Sequence, residues 1–165
     1  MTITLTGIKY AAFASEETSC FEAKIRIDGE VVGTVRNSGK GGCNDYLECK
    51  FGSIKKMREH AASLPPIKAK FANESSVTFP MDLDLLIGEL LEDHLTELDL
   101  RKKMKRQVLV THKDKKGLWG FKRKWPDTDN PKMYALIRQR DATIEHILNE
   151  IPFGQAFSIF KKECS

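Results

Sequence analysis

The clearest pattern in the chain is a strict alternation of apolar and charged residues from Phe21 to Asp28. Period-two alternation is typical of a β-strand with one buried and one solvent-facing side. Asp28-Gly29 follows, a dipeptide that suits the type I′ turn because both central residues of that turn need positive φ. The pattern predicts a hairpin returning over residues 31–36. An apolar strand is predicted before it, from Ile3, Leu5 and Ile8.

A second hairpin is predicted in the C-terminal half of the chain. Residues 107–111 read QVLVT, the sequence of an apolar strand, and Lys116-Gly117 forms the predicted turn. A returning strand is expected from Leu118 to Lys124, followed by a loop over residues 125–130. Between the halves, residues 67–80 are predicted to be a connector with a short strand around Val77.

Three helices are predicted from apolar residues at helical spacing. The first is capped by Asn44 or Asp45 and ends near Ser63, before a Pro-Pro pair. The second opens at Asp82, and its stripe consists of Leu83, Leu86, Ile87, Leu90, Leu91, Leu95 and Leu98. The third starts at Asn130-Pro131 and is stopped by Pro152. The apolar tail after Pro152 is predicted to be a short helix or edge strand packed on the core.

These elements predict an α+β fold, with an antiparallel sheet built from two β-hairpins and packed against about three helices. The 165 residues fit a single domain, 1–165, with a possible weak boundary near residues 64–80. A hydrophobic share of 41% and a charged share of 30% are ordinary for a globular domain. No apolar stretch reaches membrane-spanning length and no signal peptide is recognised, so a cytoplasmic location is expected.

A glycine-rich loop follows the first hairpin. Backbone N–H groups freed by glycine, next to a helix N-terminus, form a natural site for an anion. The order Gly-Lys-Gly-Gly-Cys-Asn is neither a Walker motif nor a dinucleotide fingerprint, so a flexible turn is the alternative. The predicted phosphate-binding residues are Arg36, Asn37, Ser38, Gly39, Lys40, Gly41, Gly42 and Asn44.

The most unusual feature is a basic segment, residues 101–124, which holds eleven of the 27 Lys and Arg residues and one acid. Cations contact phosphates and aromatic faces stack on bases, so this composition favours nucleic-acid binding. The alternative is a solvated basic hairpin whose aromatic side belongs to the core. The predicted patch consists of Arg101, Lys102, Lys105, Arg106, Lys122, Arg123, Lys124, Trp119 and Trp125.

The second predicted helix carries seven acidic residues between Asp82 and Asp99, and its end is basic. DNA mimicry is one interpretation, but a net charge of +4 favours charge pairing within the chain or between copies. The wide leucine stripe and the apolar tail exceed what one sheet face usually needs. They predict a homo-oligomer, most simply a twofold dimer.

Catalytic, metal-binding and cofactor-binding motifs are not recognised. Glu92-Asp93-His94 and Glu145-His146 place neighbouring side chains about 100° apart on a helix, which does not form a dyad. The cysteines and histidines lack the spacing of a zinc site. We therefore predict a protein that is not an enzyme and has no cofactor and no metal, although an active site assembled from distant residues is an alternative.

Residues 8–18 and 20–23, Asp28-Gly29 and the glycine-rich loop, residues 37–42, resemble a group of small uncharacterised accessory proteins of tailed bacteriophages and prophages. The resemblance covers about the first 45 residues. It implies an accessory protein with a counter-defence or host-takeover role in an infected bacterium. The glycine-rich loop and the basic segment add the expectation that the protein acts by binding or sequestering a phosphate-bearing ligand, either a nucleotide signal or nucleic acid. An inhibitor that docks directly on a host defence protein is the alternative, and both imply a bacterial cytoplasmic setting.

Overall fold

The computed structural model describes residues 1–70, 76–122 and 131–164. The chain divides into two compact units, an N-terminal unit of Met1–Glu92 and a C-terminal unit of Asp93–Ser165. The prediction of a single domain stays a prediction.

The N-terminal unit contains a four-stranded antiparallel sheet. Its strands are β1 (Ile3–Tyr10), β2 (Phe21–Ile27), β3 (Glu30–Asn37) and β4 (Asp45–Leu47), paired in chain order. The predicted hairpin is confirmed, because β2 and β3 pair antiparallel and the turn residues between them, Asp28 and Gly29, have positive φ values of 47° and 88°. Phe21, Ala23 and Ile25 are buried while Glu22 and Lys24 are exposed, so one face of β2 points inward and the other to solvent.

The first helix, α1 (Ser53–Ala62), begins later than predicted. Residues 45–47 form β4 instead, which pairs with β3. Gly52 precedes the helix with a φ of 75°, and the Ser53 N–H donates to the Lys50 carbonyl at 3.0 Å. The predicted cap at Asn44 or Asp45 is therefore wrong, because Asp45 begins β4 and the side chain of Asn44 is bonded to Asp84.

The predicted connector contains a second hairpin of two short strands, β5 (Ile67–Lys70) and β6 (Ser76–Phe79). The strand expected around Val77 is confirmed. α2 (Leu83–Arg106) follows, as its stripe predicts. Its first leucines enter the interior of the N-terminal unit, where Ile87 is fully buried.

The C-terminal unit contains a three-stranded antiparallel sheet in the order β8 (Trp119–Lys122), β7 (Gln107–His112), β9 (Ile144–Ile147). One side of β7 packs with Tyr134 of α3 (Pro131–Arg140). The other side joins a cluster with Leu100 of α2 and with Phe160 of α4 (Phe153–Cys164), and this helix confirms that the apolar tail packs on the core.

The predicted third helix is too long. α3 ends at Arg140, and residues 144–147, which were expected to continue the helix, form β9, which pairs with β7 through Val110–Ile147 and Thr111–His146. Ile144 and Ile147 occupy spacing that fits a helix, but β-branched side chains also suit a half-buried strand. Backbone pairing with β7 decides between the two.

The fold is α+β with antiparallel pairing, as predicted from the hydrophobic pattern. The two predicted hairpins, however, lie in separate sheets. Among the described residues four α-helices are present, the fourth being the tail helix.

Candidate functional site

One end of the four-stranded sheet forms a cleft of about 550 Å³, which we call the end cleft. Four charged side chains of alternating sign lie in register across the strands beside it: Lys9, Glu22, Arg36 and Asp45. Lys9 pairs with Glu22 and Arg36 with Asp45, each at 3.3 Å. The lining also includes Tyr10, Asn37 and Ser38. The charges of the row offset one another, so the end cleft has no excess of cations for a phosphate.

The sequence singled out Arg36, Asn37 and Ser38 but missed Lys9, Glu22 and Asp45 as their neighbours. Alternation along β2 does place Glu22 on the solvent face. The register between the strands brings the four charges into one row, and this register cannot be read from the amino-acid sequence alone.

Asn37 organises the glycine-rich loop. Its side chain is buried, and its Oδ1 accepts from the Thr18 hydroxyl at 2.7 Å and from the Gly39 N–H at 2.9 Å. Its Nδ2 donates to the Gly42 carbonyl at 3.3 Å and to Asn44 Oδ1 at 3.2 Å. A side chain with this many internal partners is a structural centre of the loop rather than a group aimed at a ligand.

The backbone amides of the loop are also engaged. The Gly39 N–H is held by Asn37, and the Gly41 N–H donates to Thr18 Oγ1 at 3.3 Å. The Gly39 carbonyl accepts from the amides of residues 16, 17 and 18. Strand β4, not a helix, follows the loop. The helix N-terminus on which the predicted anion site depended is therefore absent there, while Lys40 and Gly42 are exposed.

Asn44 links the loop to α2, because its Oδ1 accepts from Asn37 while its donors are directed to Asp84. Its backbone N–H and its side-chain amide donate to Asp84 Oδ1 at 3.3 and 2.8 Å, and the Tyr46 hydroxyl donates to the same oxygen at 2.7 Å. Burial, reinforced by the hydrogen bond to the Asp84 carboxylate, raises the pKa of Tyr46 well above its ordinary value. The predicted ligand residue Asn44 is thus part of a structural network that joins β4 to α2.

In the basic segment, the cations at the end of α2 divide into two groups. Arg101 pairs with Glu97 at 2.7 Å and lies 3.8 Å above the Phe153 ring, and Lys103 pairs with Asp99 at 2.8 Å. Lys102, Lys105 and Arg106 are exposed and have no ion-pair partner within the described ranges. They lie at spacings of three and four residues, so they share one side of the helix.

Strand β8 is exposed along its whole length and carries Trp119 and Phe121, 38% and 43% exposed. Their cross-strand partners are Val110 and Val108, on the α3 side of the sheet. The aromatic side is therefore the core-facing side, as the alternative interpretation held, yet both rings reach solvent at the sheet edge. Lys122 is also exposed, and the predicted patch residues Arg123, Lys124 and Trp125 lie outside the described residues.

Acidic residues of α2 pair within the chain. Besides the Glu97 and Asp99 pairs, Asp93 accepts from Lys161 of α4. This pairing is the simpler of the two interpretations of the acidic helix.

Most of the leucine stripe is buried within the chain, and Leu98 is its one member that is more than a third exposed. The homo-oligomer, which was predicted from the stripe together with the apolar tail, stays a prediction.

One polar cluster escaped the sequence reasoning because its members are far apart in the chain. His112 Nδ1 lies 2.9 Å from Thr143 Oγ1 and 3.6 Å from Asp141, and its ring meets Trp119 edge-on at 4.7 Å. Hydrogen bonds from the Thr143 hydroxyl and backbone N–H lower the pKa of Asp141, with a smaller contribution from His112. The Thr143 hydroxyl is committed to Asp141 at 2.6 Å, so the cluster orders the turn before β9.

Within the described residues, no group of three or more His, Cys, Asp or Glu side chains has the arrangement of a metal site. None of the described helices combines the length and apolarity needed to span a membrane. Comparison of the chain with protein-family models, with curated proteins and with solved structures finds no match.

Proposed function

We propose that this is a non-enzymatic binding protein whose ligand is nucleic acid, held by the basic segment of the C-terminal unit. The observation that carries the proposal is the combination of exposed aromatic rings with exposed cations that have no acidic partner in the part of the chain that the structure describes. Lys102, Lys105 and Arg106 supply the charge, and Trp119 and Phe121 supply the rings. Unpaired cations keep their full attraction for phosphate because no carboxylate has to be displaced first.

Single-stranded nucleic acid fits this chemistry better than duplex. Bases in a single strand are free to stack on exposed aromatic faces, which contributes about 1–3 kcal/mol per base. Strand β8 presents Trp119 and Phe121 two residues apart on the same side. A mononucleotide at the glycine-rich loop is less well supported, since the amides of Gly39 and Gly41 already have partners.

Together with the likeness to phage accessory proteins, this chemistry leads us to propose a counter-defence or host-takeover role in the bacterial cytoplasm. In that role the protein sequesters nucleic acid that host defences would otherwise act on.

Two aromatic side chains favour a second candidate function, docking on a host protein. Phe13 is 94% exposed and Phe51 is fully exposed, both in the N-terminal unit. Aromatic residues are frequent anchors of protein interfaces. A pull-down from infected cells with Phe13→Ala and Phe51→Ala variants tests this candidate: loss of a stoichiometric host protein supports it, and unchanged recovery of bound proteins contradicts it.

The nucleic-acid proposal is tested by fluorescence anisotropy with labelled single-stranded DNA and RNA over a range of salt concentrations. In Lys102→Glu/Arg106→Glu, affinity is expected to fall at least about tenfold. The slope of log K against log salt should decrease by about 1.4, at about 0.7 per lost phosphate contact. Lys56→Glu/Arg58→Glu on α1 makes the same charge change in the N-terminal unit.

The Lys56→Glu/Arg58→Glu control distinguishes binding at a local site from general electrostatic attraction between the protein and nucleic acid. Affinity within about twofold of wild type is expected for it, because residues outside the binding site make no phosphate contact that the substitution could remove. Equal losses in the two variants, or binding of both nucleic acids that does not weaken with salt, would overturn the proposal.

A further inference from the structure

Strand β1 is an edge of the four-stranded sheet. Within the described ranges it pairs with β2 alone, so its other side has no strand beside it. A strand edge presents unpaired N–H and C=O groups to whatever approaches, and it is a template for a further strand.

The direction of the free groups follows from one hydrogen bond. The Asp28 N–H donates to the Thr2 carbonyl at 2.9 Å, so Thr2 points its backbone groups towards β2. In an antiparallel pair these directions alternate along the strand. Thr4 therefore bonds towards β2 as well, and Ile3 and Leu5 direct their N–H and C=O groups outward.

This edge lacks the usual protection against pairing. Residues 2–8 contain no charge and no proline, the two features that most often block a strand edge. A register shift between Thr6 and Lys9, with Gly7 at a φ of 61°, interrupts the strand only after Thr6. The regular, uncharged part of the edge therefore spans residues 3–6.

We propose that this edge binds the same edge of a second copy of the chain, antiparallel, with Thr4 on the twofold axis. Ile3 then lies opposite Leu5 of the second copy, and Leu5 opposite its Ile3. Both are outward-bonding positions, so the two pairs can exchange four backbone hydrogen bonds. Thr4 forms the non-hydrogen-bonded pair between them, where Cα atoms approach to about 4.5 Å.

The side chains favour a second copy over an unrelated strand because the segment is self-complementary. Threonines 2, 4 and 6 would form one polar face across both copies, and Thr–Thr cross-strand pairs are stabilising. Ile3 and Leu5 would continue the buried face of the sheet. Leu5 is half-buried in the single chain, whereas Ile3 is already 6% exposed, so pairing would cover the remaining apolar surface of Leu5. This interface does not depend on the proposed function, and it differs from the α2 interface predicted from the leucine stripe.

Disulfide trapping tests the geometry. In a background in which the exposed Cys43 and Cys164 are replaced by serine, Thr4→Cys should form an intermolecular disulfide under mild oxidation. Two copies of residue 4 would lie within the Cα separation of about 4.4–6.8 Å that a disulfide requires. Thr6→Cys is the matched control on the same face, since its two copies would be about 14 Å apart along the strand.

Sedimentation of the full chain provides the second measurement. Wild type and Thr4→Val should sediment as dimers, and Thr4→Lys should sediment as a folded monomer because it places two like charges face to face. Cross-linking of Thr4→Cys no faster than of Thr6→Cys would overturn the proposal. So would a wild-type chain that stays monomeric at every concentration, even if its edge captures an added peptide strand.

Discussion

At the scale of the residue, Gly39 shows how a flexible sequence becomes a fixed loop. Its φ is +83°, and a Cβ built there would overlap the Ala14 carbonyl oxygen. Its own carbonyl accepts three amides and its own amide is held by Asn37. A loop rich in glycine is often read as mobile, but here glycine permits a close approach of two backbone segments.

Gly39→Ala is therefore expected to lower the free energy of unfolding by about 2–5 kcal/mol. Left-handed backbone costs a non-glycine residue about 1–2 kcal/mol, and the steric overlap adds about 1–3. Gly42→Ala is the control, because Gly42 has a φ of +87° but, apart from its chain neighbours, no described residue has an atom within 4 Å of the position that a Cβ would occupy. Urea unfolding measures both, and equal losses would show that backbone strain alone matters.

At the scale of the element, a hydrogen-bonded network joins β4 to the first turn of α2. Asp84 accepts three hydrogen bonds through one oxygen, and the Tyr46 hydroxyl is one of the donors. A deprotonated phenol would face the Asp84 carboxylate, and burial disfavours the phenolate further. These effects raise the pKa of Tyr46 above its ordinary value of 10.0.

Because of this network, the free energy of unfolding depends on pH in the alkaline range. Below pH 10 the phenol is protonated in both states, and its contribution is complete. Above pH 10 the unfolded chain releases the proton while the folded chain keeps it, so the free energy of unfolding falls as pH rises. We expect this fall in wild type to be steeper than in Tyr46→Phe, measured by urea unfolding between pH 8 and pH 11. Parallel pH profiles would contradict the assignment.

At the scale of the whole molecule, α2 belongs to both compact units. It buries Leu91 on the N-terminal side of the division and Leu100 on the C-terminal side. Helix formation is cooperative along the chain, so an uninterrupted helix links the stability of the segments that pack on it.

We therefore expect the two units to unfold together. Both tryptophans, at positions 119 and 125, belong to the C-terminal unit, so their fluorescence reports that unit, whereas far-UV circular dichroism reports the helices of both. Urea transitions followed by the two signals should coincide, as a single cooperative domain requires. A fluorescence transition displaced from the circular dichroism transition would mean two independently folding domains.

Features that depend on neighbours along the chain were predictable from the sequence. The turn at Asp28-Gly29 was predictable because few residues accept positive φ, and α2 was predictable because its stripe persists over many turns. The basic segment was predictable in the same way, since its charge density is a property of composition. Each of these signals comes from residues that are close to one another along the chain, so no distant partner is needed to read it.

Features that depend on distant partners became visible in the folded chain and were not predictable from the sequence. Residues 45–47 became a strand because β3 pairs with them, and Ile144–Ile147 left the helical pattern because β7 does. The amides of Gly39 and Gly41 donate to Asn37 and Thr18, so they are not free to bind an anion. The exposed fractions of Trp119 and Phe121 depend on the position of β8 in its sheet. Backbone pairing and burial are satisfied between segments far apart in sequence, so the pattern of one segment does not reveal them.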